Sequence, residues 1–419
     1  MKKLYISLMV FLLTSLLFLG CNNTGDTAEN DTIPSKPITV KKGLVVNVFL
    51  DNTSSMEGYA KANDASKFNE VFNGLYYYSS GTHAEINGYY TQSNKTIVKG
   101  RPISQTIIKP VNFETLRSEI NHKNIKFTDS YQLPDFFNDV VDKTVNDNSH
   151  DVISFFITDG ILSGTNEEIR KDPMFNINSA STVQSRISDA LRKLDDNYAS
   201  AVFRFKAYYN GKYYKYNNDY RTELRNVSRP FYVIAIGPQD KLNEFYKQVE
   251  NGQKYFRPTE KVLFYRGLKD MKVNTLDAEY EKDTIFVYME DSRENHQFYI
   301  EKSVLPSYVD NNSLEILWNG QPVDVVPQNG KYKFDLRLDK YDPGKTLTIR
   351  LKSDLPTWVK VCHSSNDKNI TDKNTAELDK TFNLEFLVNG IKDGILHLKG
   401  SDYDMKWNYT ICTDIKDNY

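Results

Sequence analysis

Three oxygen-bearing side chains alternate just past an apolar, β-branched run. In "VVNVFLDNTSSMEGY", from Val45 to Tyr59, they are Asp51, Thr53 and Ser55. Alternate residues of an extended segment point the same way, so the three oxygens converge. One carboxylate with two hydroxyls, and neither sulfur nor imidazole, suits a hard cation such as Mg²⁺ or Mn²⁺. A single loop cannot fill an octahedron, and two other segments offer further oxygens. "FITDG" places Asp159 after a second buried run, and "KFTDSYQL" places Thr128 just ahead of a helical pattern, with Ser130 as an alternative. The competing reading of "DNTSS" is a helix N-cap, a position that Ser, Thr and Asp also favour.

Positioning such oxygens requires strand ends on one side of a sheet. The runs "LVVNVFL", "DVISFFITDG" and "PFYVIAIG" are almost continuously apolar, as strands covered on both faces are. Between them Phe68, Val71, Phe72 and Leu75 fall at i, i+3, i+4 and i+7. Leu133, Phe136, Phe137, Val140 and Val141 repeat the helical spacing, and "DKLNEFYKQV" closes the unit. Alternating buried strands and amphipathic helices predict a doubly wound, parallel, Rossmann-like α/β domain over 43–255. Loops beyond the carboxyl ends of such strands are where ligands bind.

In this setting "DNTSSMEG" resembles the D-x-S-x-S-M-x-G signature of von Willebrand factor A domains, with Thr53 in place of the usual Ser. "ISFFITDG" is similar to that family's strand ending in T-D-G, and "FYVIAIG" to its later strand. The resemblance implies a metal-ion-dependent adhesion site with five oxygen ligands: Asp51, Thr53, Ser55, Thr128 and Asp159. It also implies an open coordination position that takes an Asp or Glu carboxylate from a partner protein. The usual glycine before Thr128 is absent.

Around this core the sequence implies other parts. Lys2 and Lys3, then an apolar run ending at Gly20–Cys21, resemble a bacterial lipoprotein signal (residues 1–21) in which Cys21 is lipidated. Residues 22–42 are polar, with Pro and Gly, and read as a flexible tether. No other run approaches the ~18 apolar residues needed to span a bilayer. The expectation is an exported lipoprotein of the cell envelope, on the outer membrane of a Gram-negative bacterium. It touches the membrane through its lipid anchor only. An inserted helix and hairpin are expected at about 163–229, with Asn210-Gly211 as the turn. That ribbon would serve either as a specificity element or as cover for a sheet edge.

Beyond residue 256, short strand-like runs such as "DTIFVYME", "PTWVKVC", "TFNLEFLV", "GILHLKG" and "WNYTICTDI" predict an all-β, sandwich-like region of one or two units. Cys362 and Cys412 lie there, either as a disulfide or as two separate thiols. Trp318, Trp358 and Trp407 read as core anchors or, alternatively, as a sugar-stacking platform.

The formal net charge of -2 argues against a nucleic-acid binder. The six His residues form no H-E-x-x-H, and no G-x-S-x-G elbow or P-loop is present. The expected activity is therefore binding rather than catalysis. A metal-independent envelope scaffold is the main alternative, and a metal-dependent hydrolase using Asp51 a lesser one.

Overall fold

The computed structural model describes residues 43–98, 101–127, 133–147, 149–161, 175–214, 221–266, 272–289, 293–302, 305–339, 344–367, 369–397 and 405–415. Seven strands form the principal sheet: β1 (Leu44–Asp51), β2 (Glu85–Val98), β3 (Arg101–Val111), β4 (Asp151–Thr158), β5 (Tyr198–Tyr214), β6 (Arg221–Pro238) and β7 (Glu260–Tyr265). Their order is β3-β2-β1-β4-β6-β5-β7. The apolar run of β1 is central because it can be buried on both faces, and Val46, Val48, Phe49 and Leu50 are all completely enclosed.

Helices cover both faces. On one lie α2 (Ser66–Thr82), α3 (Phe113–Asn121) and α6 (Gln239–Glu250), reached through the short α1 (Glu57–Ala60). The periodic Phe68, Val71, Phe72 and Leu75 of α2 join Val48, Leu50 and Phe155 in one apolar cluster. On the other face are α4 (Leu133–Val145) and α5 (Phe175–Leu191). There Phe136, Phe137, Val140 and Val141 pack with Phe49, Phe156 and Ile234.

The expectation of a doubly wound parallel sheet is overturned by the strand directions. β1 runs parallel to β2 and to β4, but β3, β6, β5 and β7 all pair antiparallel with their neighbours. The sheet is mixed. "FYVIAIG" is the end of β6 and runs opposite to β4, with Thr158 across from Tyr232. Its apolar content recorded burial on both faces, and burial carries no information on direction. The ribbon expected as an insertion is part of the sheet itself, since β5 and β6 pair from Tyr198↔Pro238 to Tyr214↔Arg221. Asn210-Gly211 is not its turn. The register shifts between Tyr209 and Gly211, where Asn210 alone faces Arg225 and Asn226 of β6, so the bulge is in β6 and Gly211 itself pairs with Leu224.

The C-terminal part is not an all-β sandwich either. It holds a six-stranded sheet, in which Thr284–Met289 pairs parallel with Met405–Ile415, and a four-stranded antiparallel one. Its described residues also include three α-helices: α7 (Thr357–Cys362), α8 (Thr375–Leu378) and α9 (Leu384–Leu396). "WVKVC" and most of "NLEFLVNGIKDGIL" are helical. Leu384, Leu387, Val388, Ile391 and Ile395 mark one buried helix face, a 3.6-residue period that the short-strand reading split in two. Helix α9 packs on α5 at close range. A Cβ on Gly394 would lie 2.7 Å from Leu191 Cβ and 2.8 Å from Ser188 O.

Candidate functional site

Asp51 ends β1 and Asp159 follows the last residue of the adjacent parallel strand β4, so the two carboxylates stand at neighbouring strand ends. The β1 loop is tied down from several directions. Asp51 Oδ1 accepts a hydrogen bond from the Thr53 backbone N–H at 3.1 Å. Its Oδ2 accepts one from the Thr158 hydroxyl at 2.8 Å. Thr158 Oγ1 in turn accepts from the Gly160 N–H at 3.1 Å, and Asp159 Oδ1 accepts from the Ile161 N–H at 3.1 Å. The Thr53 and Ser55 hydroxyl oxygens are 2.9 Å apart. The Asn52 N–H donates to Thr91 O at 3.1 Å, which anchors the loop to β2.

The structure thus brings together Asp51, Thr53, Ser55 and Asp159. Thr128 and its alternative Ser130 lie outside the described residues, as does Cys21. The short α1 does follow this loop, but its N-cap Met56 makes no side-chain capping bond. The side-chain oxygens of Asp51, Thr53 and Ser55 are directed to one another, to the Thr53 N–H, to Thr158 and to Asp159 instead.

Burial sets the electrostatics. Asp51, Thr53 and Asp159 are 4%, 6% and 5% exposed. Burial, and then the charge of Asp159, push the Asp51 carboxyl up to about 7, against the opposing hydrogen bonds from Thr53 and Thr158. Asp159 is raised as well, chiefly by burial. Its bonds from the Ile161 N–H and the Ser55 hydroxyl oppose the rise, as does the charge of Arg229. Two carboxylates at adjacent strand ends, with two hydroxyls and no nitrogen or sulfur, form a donor set of the kind a hard divalent cation takes. Among the described residues, no group of three or more His, Cys, Asp and Glu side chains is placed to hold a metal ion.

The sequence reading did not foresee how the loop is covered. The β5–β6 ribbon lies over it, and a Cβ on Gly58 would fall 2.4 Å from the Tyr209 ring. Tyr209 donates its hydroxyl to Lys212 O at 2.6 Å and to Ser55 O at 3.3 Å. The Tyr59 hydroxyl reaches Pro230 O. Arg229 is 1% exposed, with its guanidinium 4.6 Å from the Tyr213 ring centre and one Nη donating to Leu378 O at 3.1 Å. Its charge acts on Asp159 and on the three tyrosines. Tyr213 donates to Asp367 at 3.3 Å, and Tyr232 and Thr381 share a 2.9 Å bond, so Asp367 and Thr381 tie the C-terminal part to this ribbon. The only trace of this in the sequence is one Arg before "PFYVIAIG".

Elsewhere, no disulfide joins Cys362 in α7 to Cys412 in the C-terminal strand. Trp318, Trp358 and Trp407 are partly buried against the core, in keeping with an anchoring role. Comparison of the chain with protein-family models, with curated proteins and with solved structures gives no match.

Proposed function

We propose that this protein is an exported envelope lipoprotein, anchored through Cys21, that captures a protein partner at the Asp51–Asp159 loops. The observation carrying this reading is the pair of buried carboxylates at adjacent strand ends, bordered by the Thr53 and Ser55 hydroxyls. Asp51, Thr53, Ser55 and Asp159 would hold Mg²⁺ or Mn²⁺, with a further hydroxyl from Thr128 or Ser130. The bound ion would supply a coordination position for an Asp or Glu carboxylate of the partner. The chain's own residues do the rest. Thr158 and the Thr53 N–H orient Asp51, the Ile161 N–H orients Asp159, and the Tyr209 ring packs against Gly58 beside the loop.

The test is Mn²⁺ binding to chelator-stripped full-length protein, followed by paramagnetic resonance of the free ion, then partner capture from envelope extract with Mg²⁺ or with chelator. One ion per wild-type chain, none for Asp51→Ala, and capture lost in both chelator and variant support the ion bridge. Equal ion binding, or capture indifferent to both, refutes it.

A second reading rests on Arg229. A buried guanidinium acting on Asp159 can balance charge without an ion, as in a metal-independent scaffold that works through its outer surface. Capture that survives chelator and Asp51→Ala favours it.

A further inference from the structure

A polar row crosses the sheet face that α4 covers. β1 turns Phe49 to this face, where it packs against Phe136 of α4 and the ring of Tyr89. Asn47, two residues earlier, points the same way. The parallel registers set Asn87 of β2 and Ser154 of β4 level with Asn47. Ser154 is satisfied by the Thr144 hydroxyl of α4 at 2.8 Å. Asn47 is only half engaged although it is 5% exposed. Its Oδ1 accepts from Asn87 Nδ2 at 3.4 Å, whereas its own Nδ2 makes no hydrogen bond among the described residues. This amide lines a cleft of about 190 Å³ at the amino ends of β1, β2 and β4, the end opposite Asp51. Around it stand Glu85 and Tyr89 of β2, with Lys143, Asp147 and His150 from the end of α4 and the segment after it.

The charges in this cleft are unevenly engaged. Asp147 is occupied: its Oδ1 accepts from the Ser149 and His150 N–H groups at 2.8 and 3.1 Å, and its Oδ2 meets His150 Nδ1 at 2.9 Å. Lys143 holds its ammonium 4.9 Å from the centre of the Tyr89 ring. Glu85 acts on the same side chain, since burial and then the Glu85 charge push the Tyr89 hydroxyl up. Glu85 Oε1 accepts the Asn87 amide at 3.1 Å. Among the described residues, neither Lys143 nor Glu85 forms an ion pair. A cation, a carboxylate and an unpartnered amide donor around one small cleft suit a ligand that carries both signs of charge. A simple anion would face Glu85 and Asp147, a simple cation would face Lys143, and like charges brought together oppose binding.

We propose that this cleft binds a small zwitterion of the α-amino-acid class. Its carboxylate bonds to Lys143 and to Asn47 Nδ2, and its ammonium bonds to Glu85. Val45 and Val152, which also line the cleft, border the ligand's side chain, and the volume limits that chain to a few carbons. The site is separate from the Asp51–Asp159 loops, since Asn47 lies four residues before Asp51, about 13 Å by the strand rise. The opposing account gives Lys143 to the carboxyl end of α4, where a cation complements the helix dipole, and leaves Glu85 as a solvated surface charge.

The experiment is isothermal titration calorimetry of full-length protein in chelator with glycine, L-alanine and D-alanine. Acetate, methylammonium, glucose and inorganic phosphate are the controls. The variants are Lys143→Met, Glu85→Gln and Asn47→Ala, each checked by circular dichroism. The expected result is binding of at least one of the three amino acids, with acetate and methylammonium at least tenfold weaker. Lys143→Met and Glu85→Gln, both at exposed positions, each weaken that binding at least tenfold. Asn47→Ala weakens it as well, and the two charge variants decide alone if Asn47→Ala does not fold. Asp51→Ala binds the amino acid like wild type, whatever Mn²⁺ does at the other site. No binding of any of the three by wild type, or equal binding by wild type and the two charge variants, overturns the proposal. Glucose, phosphate, acetate or methylammonium binding as tightly as the amino acid overturns the choice of a zwitterion.

Discussion

The Asp51 carboxyl offers the sharpest test of the buried pair. Its folded-state value of about 7 lies some three units above the ordinary 3.8. At about 1.4 kcal/mol per unit, the metal-free folded protein loses on the order of 4 kcal/mol when Asp51 ionises. The direction follows from proton uptake. Above pH 3.8 the unfolded chain has already released this proton, whereas the folded chain holds it to about pH 7. Folding therefore takes up a proton across that window, and stability falls as pH rises through it. The groups that set this balance are Asp159, which raises the value, and the Thr53 and Thr158 bonds, which lower it; Arg229 opposes the companion rise at Asp159.

Asp51→Asn removes the charge and keeps the shape. The amide oxygen can still accept from the Thr53 N–H, and the amide nitrogen can donate to Thr158 Oγ1. Because that oxygen already accepts from the Gly160 N–H, the Thr158 proton then loses its acceptor. A hydrogen bond lost in this way costs about 1–2 kcal/mol, leaving a net gain of about 2–3 kcal/mol at pH 8. In chelator, urea unfolding of full-length protein at pH 5 and pH 8 should show the variant more stable than wild type at pH 8. At pH 5 it should be equal or less stable. Mg²⁺ at about 100 times its dissociation constant should then add roughly 2.7 kcal/mol to wild type and none to the variant. Wild-type stability that is flat from pH 5 to pH 8, with Asp51→Asn no more stable at either, refutes the buried-pair reasoning.

Other positions give independent checks. Gly58→Ala drives a methyl into the Tyr209 ring and should cost about 1–3 kcal/mol by thermal unfolding, with Tyr209→Ala in the same chain restoring part of it. Arg229→Met strips the buried positive charge from Asp159 and should destabilise metal-free protein by about 3 kcal/mol, less when paired with Asp159→Asn; equal losses in single and double variants would show that Arg229 does not act on Asp159. Ile391→Ala empties a fully buried position between α9 and α5 and should cost about 2–5 kcal/mol by urea unfolding, whereas Val361→Ala, 66% exposed on α7, should stay within about 0.5 kcal/mol.

Local chemistry was legible in the sequence, and direction and long-range closure were not. The buried strands, the helix faces of α2 and α4 and the convergence of Asp51, Thr53 and Ser55 depend on residues close together in the chain, whereas Asp159 joins them through the pairing of β1 with β4 and was legible only as the end of a second buried run. Their periods and spacings state them directly. β6 is different. A strand enclosed on both faces is apolar throughout whether it runs with its neighbour or against it, so "FYVIAIG" could not reveal its antiparallel pairing with β4. Gly211 misled for a related reason. A glycine serves a tight turn and a close backbone approach equally well. Here a Cβ would come within 3.0 Å of Gly58 Cα, a contact between residues far apart in sequence. The same holds for the cover over the site. Tyr59, Tyr209, Tyr213, Arg229 and Asp367 come from four separate segments, and each alone looks like an ordinary strand, helix or loop residue. What joins them is the charge at the ends of β1 and β4. Two carboxylates buried there must be protonated, balanced by a cation or faced by a guanidinium. The fold provides for the first through the raised Asp51 value and for the last through Arg229. A divalent ion would thus enter a site whose charge is already partly balanced. Its affinity must then be strongly pH-dependent and must rise when Arg229 is neutralised, whereas a scaffold without an ion would show neither effect.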